Sequence, residues 1–251
     1  MSVSISTQPA RIAGMFDQIA ARYDLLNLVL SGGLDRRWRR RAVRALALSG
    51  RERVLDVCTG TGDLAMAALR ARAGARDVVG VDFAGAMLAR ARDKARRAGL
   101  GGRFHLAQGD ATRLPLPAAS VDAVMVAFGI RNVERPADAL AEFRRVLRPG
   151  GRLAVLEFGQ PRSALVRAVY GWYGRHVLPR IGRAVSRHPD AYEYLPASVA
   201  AFPAGGAFVT LLRHAGFEAA TAVPLTFGIV YLYVARTEAS DAHSQHVPAR
   251  A

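Results

Sequence analysis

The stretch Val54-Leu55-Asp56-Val57-Cys58-Thr59-Gly60-Thr61-Gly62-Asp63 decides the fold. Its apolar start, Val54, Leu55 and Val57, reads as a short strand buried on both faces. The chain then breaks into Thr-Gly-Thr-Gly and resumes as Leu64 to Ala73, rich in alanine and leucine, which reads as a helix. A strand, a glycine turn and a helix together bring bare backbone close to a ligand. A dinucleotide fingerprint would read Gly-x-Gly-x-x-Gly around a pyrophosphate. Here an acid, Asp56, precedes Gly60-Thr61-Gly62, and no third glycine follows in register. Such a turn suits a ligand that carries an ammonium and no phosphate, as the methionyl end of S-adenosylmethionine does. The plain alternative is an ordinary βα turn in another doubly wound protein.

Outward from that turn the chain alternates. Asp77 to Val81 reads as a second strand ending at Asp82, and Ala84 to Ala98 as a helix closed by Gly99. Arg103 to Gln108 is a third strand, followed by Gly109-Asp110-Ala111, and Val121 to Ala127 is a fourth, followed by Phe128-Gly129-Ile130-Arg131-Asn132. Pro136 starts a helix that runs to about Leu147. Arg148-Pro149-Gly150-Gly151 is a turn before a fifth strand, Arg152 to Phe158. Gln160 to Pro203, dense in aromatics and prolines, interrupts the alternation as a helical insertion. Ala207 to Ala215 is a helix, and strands near Glu218–Val223 and Ile229–Arg236 finish the sheet. Regular alternation predicts a Rossmann-like, doubly wound α/β fold with a mainly parallel sheet and right-handed crossovers.

In such a sheet ligands sit at the carboxyl ends of the strands. Asp82, roughly 20 residues beyond the glycine turn, is placed to accept both ribose hydroxyls and to repel a 2′-phosphate. Asp110 and Ala111 suit an adenine amino group and its ring, and Phe83 can pack on the base. Each acid alone also reads as a helix cap. Three acids at three consecutive strand ends, with Gly60, Thr61 and Gly62 at the first, favour a nucleoside-sulfonium pocket.

Ahead of the first strand, Ile12, Met15, Phe16, Ile19, Tyr23, Leu26 and Leu30 recur at helical spacing from Arg11 to Leu30. A second helix, Arg36 to Leu48, follows, with Asp35 as its expected cap and Gly50 closing it. That helix sets Trp38 among six arginines, and reads either as a cover for the site and a membrane contact or as a solvated face packed through Trp38 and Leu46. Residues 1–10 and 237–251 read as disordered, leaving a single domain over 11–236.

The net charge is +15, mostly from arginine, with a pI near 11.3. A GC-rich genome, nucleic acid and an anionic membrane each account for it. No apolar run approaches the roughly 20 residues of a membrane span, and no secretory signal opens the chain, so a cytoplasmic location is expected. One cysteine, Cys58, excludes an internal disulfide and a multi-cysteine metal cluster. No histidine stands at metal-ligand spacing, and His105 reads as a packed strand residue.

Several segments together resemble the ubiquinone/menaquinone biosynthesis C-methyltransferases. Phe16-Asp17-Gln18-Ile19-Ala20-Ala21-Arg22-Tyr23-Asp24-Leu25-Leu26-Asn27 is similar to that family's opening motif. Val126 to Val133, with Phe128-Gly129-Ile130-Arg131-Asn132, is similar to its Phe-Gly-x-Arg-Asn segment. Phe143 to Gly151 and then Leu156-Glu157-Phe158 resemble its second signature, and Tyr194-Leu195-Pro196 and Leu225 to Val230 its late segments. Asp35 stands where the family more often has histidine, and Ser186 to Asp190 and Phe227 also depart from its pattern.

The resemblance implies a class I S-adenosylmethionine-dependent methyltransferase with one antiparallel late strand. It would methylate a ring carbon of a polyprenylated quinol, demethylmenaquinol before the methoxy-benzoquinol of the ubiquinone route. It implies Arg131 as the group that stabilises the phenolate-like oxygen, Asn132 as an orienting contact, and Tyr23 and Tyr194 as ring-pocket residues, without a metal. Peripheral contact with an anionic membrane and a homodimer are further expectations, with no nucleic-acid partner. The alternatives are another small-molecule acceptor, or a basic nucleic-acid-binding protein on the same scaffold.

Overall fold

The structure is a computed structural model and describes residues 14–17, 23–161, 163–176 and 190–239. The expected disordered residues 1–10, Ile12 and Ile19 of the first helix, and the tail from 240 onward lie outside these.

Helices α1 (Tyr23–Ser31) and α2 (Leu34–Ala45) lead into β1 (Arg53–Val57), α3 (Asp63–Leu69), β2 (Asp77–Asp82), α4 (Gly85–Arg97) and β3 (Phe104–Gln108). Then come β4 (Val121–Ala127), a 3₁₀ turn (Ile130–Asn132), α5 (Pro136–Val146) and β5 (Leu147–Phe158). The chain finishes with α6 (Ala164–His176), α7 (Asp190–Ala201), α8 (Gly206–His214), β6 (Glu218–Leu225), a second 3₁₀ turn (Thr226–Gly228) and β7 (Val230–Arg236).

The seven strands lie in the order β3-β2-β1-β4-β5-β7-β6. Strands β1 to β5 pair in parallel, and β7 runs antiparallel between β5 and β6. Their centres are continuous apolar runs because helices cover both faces. On one face Leu140 and Phe143 of α5 and Phe208 and Leu212 of α8 pack on Leu55, Val124 and Val155. On the other, Trp38 of α2, Leu64 of α3 and Ala91 of α4 pack on Val54, Met125 and Ala154. The order reverses between β1 and β4, which opens a crevice at their carboxyl ends.

Five local expectations change. The turn 148–151 lies within β5, where a bulge lets Val121 pair with Leu147 and Ala123 with Arg152. Asp35 does not cap α2. Gly33, in the left-handed region, holds that position, while Asp35 is buried inside the first turn and pairs with Arg39. The helix stops at Ala45, with Ala47 rather than Gly50 taking the first left-handed conformation after it. His105 is exposed on the edge strand β3 rather than packed. Order also extends past Arg236, since the Thr237 hydroxyl donates to the Arg148 carbonyl at 2.8 Å and Gly150 N–H to the Glu238 carbonyl at 2.8 Å.

Candidate active site

Two residues at neighbouring strand ends shape the crevice floor. Cys58, after β1, and Phe128, after β4, both adopt positive φ, at 53° and 59°. This conformation is unusual for any residue but glycine and clusters at functional sites. It turns the two segments toward each other, and a Cβ on Gly129 would collide with the Cβ of Cys58. The Cys58 thiol is held well above its ordinary pKa, first by burial and then by Asp82, Asp56 and other carboxylates nearby. A protonated, weakly nucleophilic thiol fills space there.

Above this floor lies an open cleft. The expected residues that line it are Tyr23, Gly60, Asp82, Phe83, Asp110, Ala111 and Asn132. Asp82 accepts from Gly60 N–H at 2.7 Å and from Ala84 N–H at 2.9 Å, which fixes its carboxylate at the end of β2. Burial is the main force that raises its pKa, and those backbone donors oppose it. Asp110 accepts from Thr112 N–H at 2.8 Å. Phe16, in the helical stretch 14–17, packs edge-on against Tyr23 at 6.0 Å, and both rings close one wall. Phe16, Met87 and Thr112 are cleft residues that the sequence reading missed as site residues. Phe16 was visible as an apolar position in a helical repeat and as the first residue of the opening motif, with no site role attached to it.

The remaining expected residues stand behind the cleft. Asp56 is 1% exposed, beneath the glycine turn. Its Oδ2 accepts from the Thr59 hydroxyl at 2.6 Å and from Ala65 N–H at 3.1 Å. Its Oδ1 has no partner. Burial pushes its pKa up to about 7, against the lowering effect of those two donors. Thr61 is buried and donates to Asp24 Oδ1 at 2.5 Å. Gly62 begins α3 at φ 81°, with the Phe104 ring where a side chain would be.

Arg131 does not face the cleft. Its Nη1 donates to Glu157 Oε1 at 2.7 Å and to the Phe128 carbonyl at 2.5 Å, and its Nε to Ser198 Oγ at 3.3 Å. The guanidinium also lies 5.3 Å from the centre of the Phe158 ring. Glu157 is fully buried. This turns Arg131 away from the role expected of it at the substrate oxygen, because Nη1 and Nε are engaged by Glu157, the Phe128 carbonyl and Ser198 and its side chain is 7% exposed. Asn132, its neighbour, does line the cleft, and its Oδ1 accepts from the Tyr194 hydroxyl at 3.1 Å. Tyr194 therefore holds Asn132 rather than lining the cleft itself.

One further network joins the N-terminal helices to this site. Lys94 Nζ donates to Asp24 Oδ2 at 2.6 Å, Asp63 Oδ1 at 2.5 Å and Thr61 Oγ1 at 3.1 Å. Asp24 thereby ties α1, and with it Tyr23, to the glycine turn. Asp17 accepts from Ala86 N–H at 3.0 Å at the start of α4.

The profile of the ubiE/COQ5 methyltransferase family matches residues 4–237. The chain belongs to this family. A protein of Syntrophotalea carbinolica, "Ubiquinone/menaquinone biosynthesis C-methyltransferase UbiE", is 52% identical over 87% of this chain and 91% of its own length. A "Demethylmenaquinone methyltransferase" of Deinococcus radiodurans is 53% identical over 88% and 90%. Among solved structures, the Haloferax volcanii complex between the Trm112 methyltransferase activator and a putative methyltransferase matches with a TM-score of 0.63. It is 20% identical and covers 89% of this chain and 97% of that one, a likeness of fold alone. The sheet and these neighbours are those of class I methyltransferases, and membership of the family implies S-adenosylmethionine as methyl donor.

The residues present fit that donor. The unpartnered, buried Asp56 Oδ1 beneath the glycine turn offers an acceptor for an ammonium. Asp82, Asp110 and Ala111 converge on one cleft, as a ribose and a base require. Among the described residues no group of three or more His, Cys, Asp or Glu stands close enough to hold a metal ion.

Proposed function

We propose that this protein transfers a methyl group from S-adenosylmethionine to a ring carbon of a polyprenylated quinol, and that its substrate is demethylmenaquinol. Likeness over almost the full chain to relatives named for that reaction carries the reading. The methoxy-benzoquinol reaction is the alternative, since other relatives carry both quinones in their names.

The donor supplies an electrophilic methyl on a sulfonium. Asp56 holds its ammonium through its buried Oδ1, which has no partner beneath the glycine turn. Asp82 holds the ribose, Asp110 and Ala111 the base, and Phe83 and Phe16 flank them. On the acceptor side, ring carbon gains nucleophilic character as the adjacent hydroxyl loses its proton. Asn132 accepts from Tyr194 through Oδ1, so its Nδ2 remains free to donate to that oxygen as charge develops. Tyr23 stays neutral because burial raises its pKa, so it can donate a second hydrogen bond. Arg131 acts by holding the turn that carries Asn132 against Glu157. An arginine cannot take the proton, so water or the quinol's own ionisation does.

The isoprenoid tail stays in lipid, and the protein acts as a peripheral protein on an anionic inner membrane face. Among the described residues no single helix is long and apolar enough to cross a membrane. A side-by-side assay of kcat/KM on reduced demethylmenaquinone and on the demethylated methoxy-benzoquinol tests the substrate. The naphthoquinol is expected to lead by at least tenfold, and a lead for the benzoquinol overturns that choice.

A further inference from the structure

Large apolar side chains that remain exposed are not scattered over this molecule. Apart from Phe83 inside the cleft, the exposed ones among the described residues are Leu25, Leu28, Leu34, Leu165, Trp172 and Phe227. All six belong to segments at the carboxyl ends of the parallel strands, on the same side as the cleft. Leu25 and Leu28 lie on α1, which Asp24 ties to the glycine turn. Leu34 opens α2, where Gly33 N–H donates to the Leu28 carbonyl at 2.9 Å. Phe227 sits on the turn before β7, whose first residue pairs with Phe158 at the end of β5. Trp38 of α2 donates to Thr226 Oγ1 at 2.9 Å, which joins that turn to α2. Leu165 is in the first turn of α6, which leaves β5 through Pro161, and Pro161 Cα lies beside Gly228. Trp172 is seven residues further along the same helix face.

Phe227 and Leu165 are 78% and 74% exposed. Phe227 also takes a positive φ of 58°, so its ring is presented on a tight turn rather than folded inward. Charge is arranged to match. Arg36, Arg37 and Arg40 follow Leu34 on α2, are exposed, and carry no ion pair among the described residues. A rim of leucine and aromatic side chains bordered by unpaired arginines has the composition of an interfacial membrane contact.

We propose that this rim is the surface by which the protein docks on an anionic bilayer, with Phe227, Leu165 and Trp172 entering the headgroup region and Arg36, Arg37 and Arg40 meeting acidic lipid. It deepens the quinol reading, on which it rests for its biological sense. Docked this way, the cleft faces the membrane, and a ring can enter while its tail remains in lipid.

The test is sedimentation of the full chain with vesicles that contain no quinone. One set is phosphatidylcholine with about a third phosphatidylglycerol, the other phosphatidylcholine alone. The wild type is expected to pellet with the anionic set and to be released by high salt. Leu165→Ser with Phe227→Asn is expected to weaken binding at least about tenfold. Arg36→Glu with Arg40→Glu is expected to weaken it about as much, since one arginine near such a surface is worth about fivefold. Calorimetry with S-adenosylmethionine should give the same affinity in both variants, which shows that the cleft is intact. Unchanged pelleting of either variant, or equal pelleting on neutral vesicles, overturns the proposal. So does a wild-type dimer that the apolar variant splits while vesicle binding persists, for then a second copy covers the rim. Methyl transfer is not read in this experiment, so its outcome stands apart from that of the quinol reading.

Discussion

Lys94 is the chain's single lysine, against arginine at every other cationic side chain. Its ammonium reaches Asp24, Asp63 and Thr61 at once, which a compact charge with three donors can do and a planar fork cannot. Lys94→Arg is therefore expected to raise the dissociation constant for S-adenosylmethionine about tenfold by loosening α1 over the glycine turn, and calorimetry reads it. Asn132→Ala should lower kcat by about 10²-fold while that affinity stays within twofold, as removal of one preorganised donor does. Asp56 carries a pH signature. Its pKa, about 7, lies above the ordinary carboxylate value, so in the free protein its ionisation opposes folding. The stabilisation it gives as a neutral group is present below about pH 4 and fades as pH rises to about 7. A cationic ligand reverses that preference, so affinity for S-adenosylmethionine should rise from pH 5.5 to 7.5 and stay flat in Asp56→Asn. At this scale the cleft acids were legible, because strand ends can be counted. The orientation of Arg131 was not, because its partner Glu157 is 26 residues away and reads as one more strand residue.

The elements were mostly legible because the strands are continuous apolar runs and the helices have strong stops, as at Ala98-Gly99. Asp35 looked like a cap, yet the left-handed Gly33 takes that place and frees Asp35 for Arg39, a partner one helical turn on that spacing alone leaves optional. The 3₁₀ turn Ile130–Asn132 depends on tertiary contact in the same way. Arg131 and Glu157 pin it to β5, and Ser198 ties it to α7. Breaking that buried pair by Glu157→Gln should destabilise the protein by about 3–5 kcal/mol in urea unfolding. Arg131→Met with Glu157→Leu should recover much of the loss in stability while kcat remains low, because the turn no longer sets Asn132. Recovery of activity along with stability would show that the pair does not act through that residue.

Over the whole molecule, topology and charge answer separate questions. The reversal of strand order between β1 and β4 places the cleft; alternation pointed to the carboxyl ends of the strands but not to the order in which they lie. The net charge of +15 had no single reading in sequence, because composition does not say which arginines are neutralised. Among the described residues eight arginines are in ion pairs, while Arg36, Arg37 and Arg40 on α2, like several arginines elsewhere, are not. The proposed reaction transfers a methyl group to carbon. The measurement that tests it most directly supplies purified protein with methyl-deuterated S-adenosylmethionine and reduced demethylmenaquinone, and locates the label by mass and NMR. One labelled methyl is expected on the ring carbon beside a hydroxyl, formed far more slowly by Asn132→Ala. Label on oxygen, or no labelled quinone while S-adenosylmethionine still binds, would contradict it.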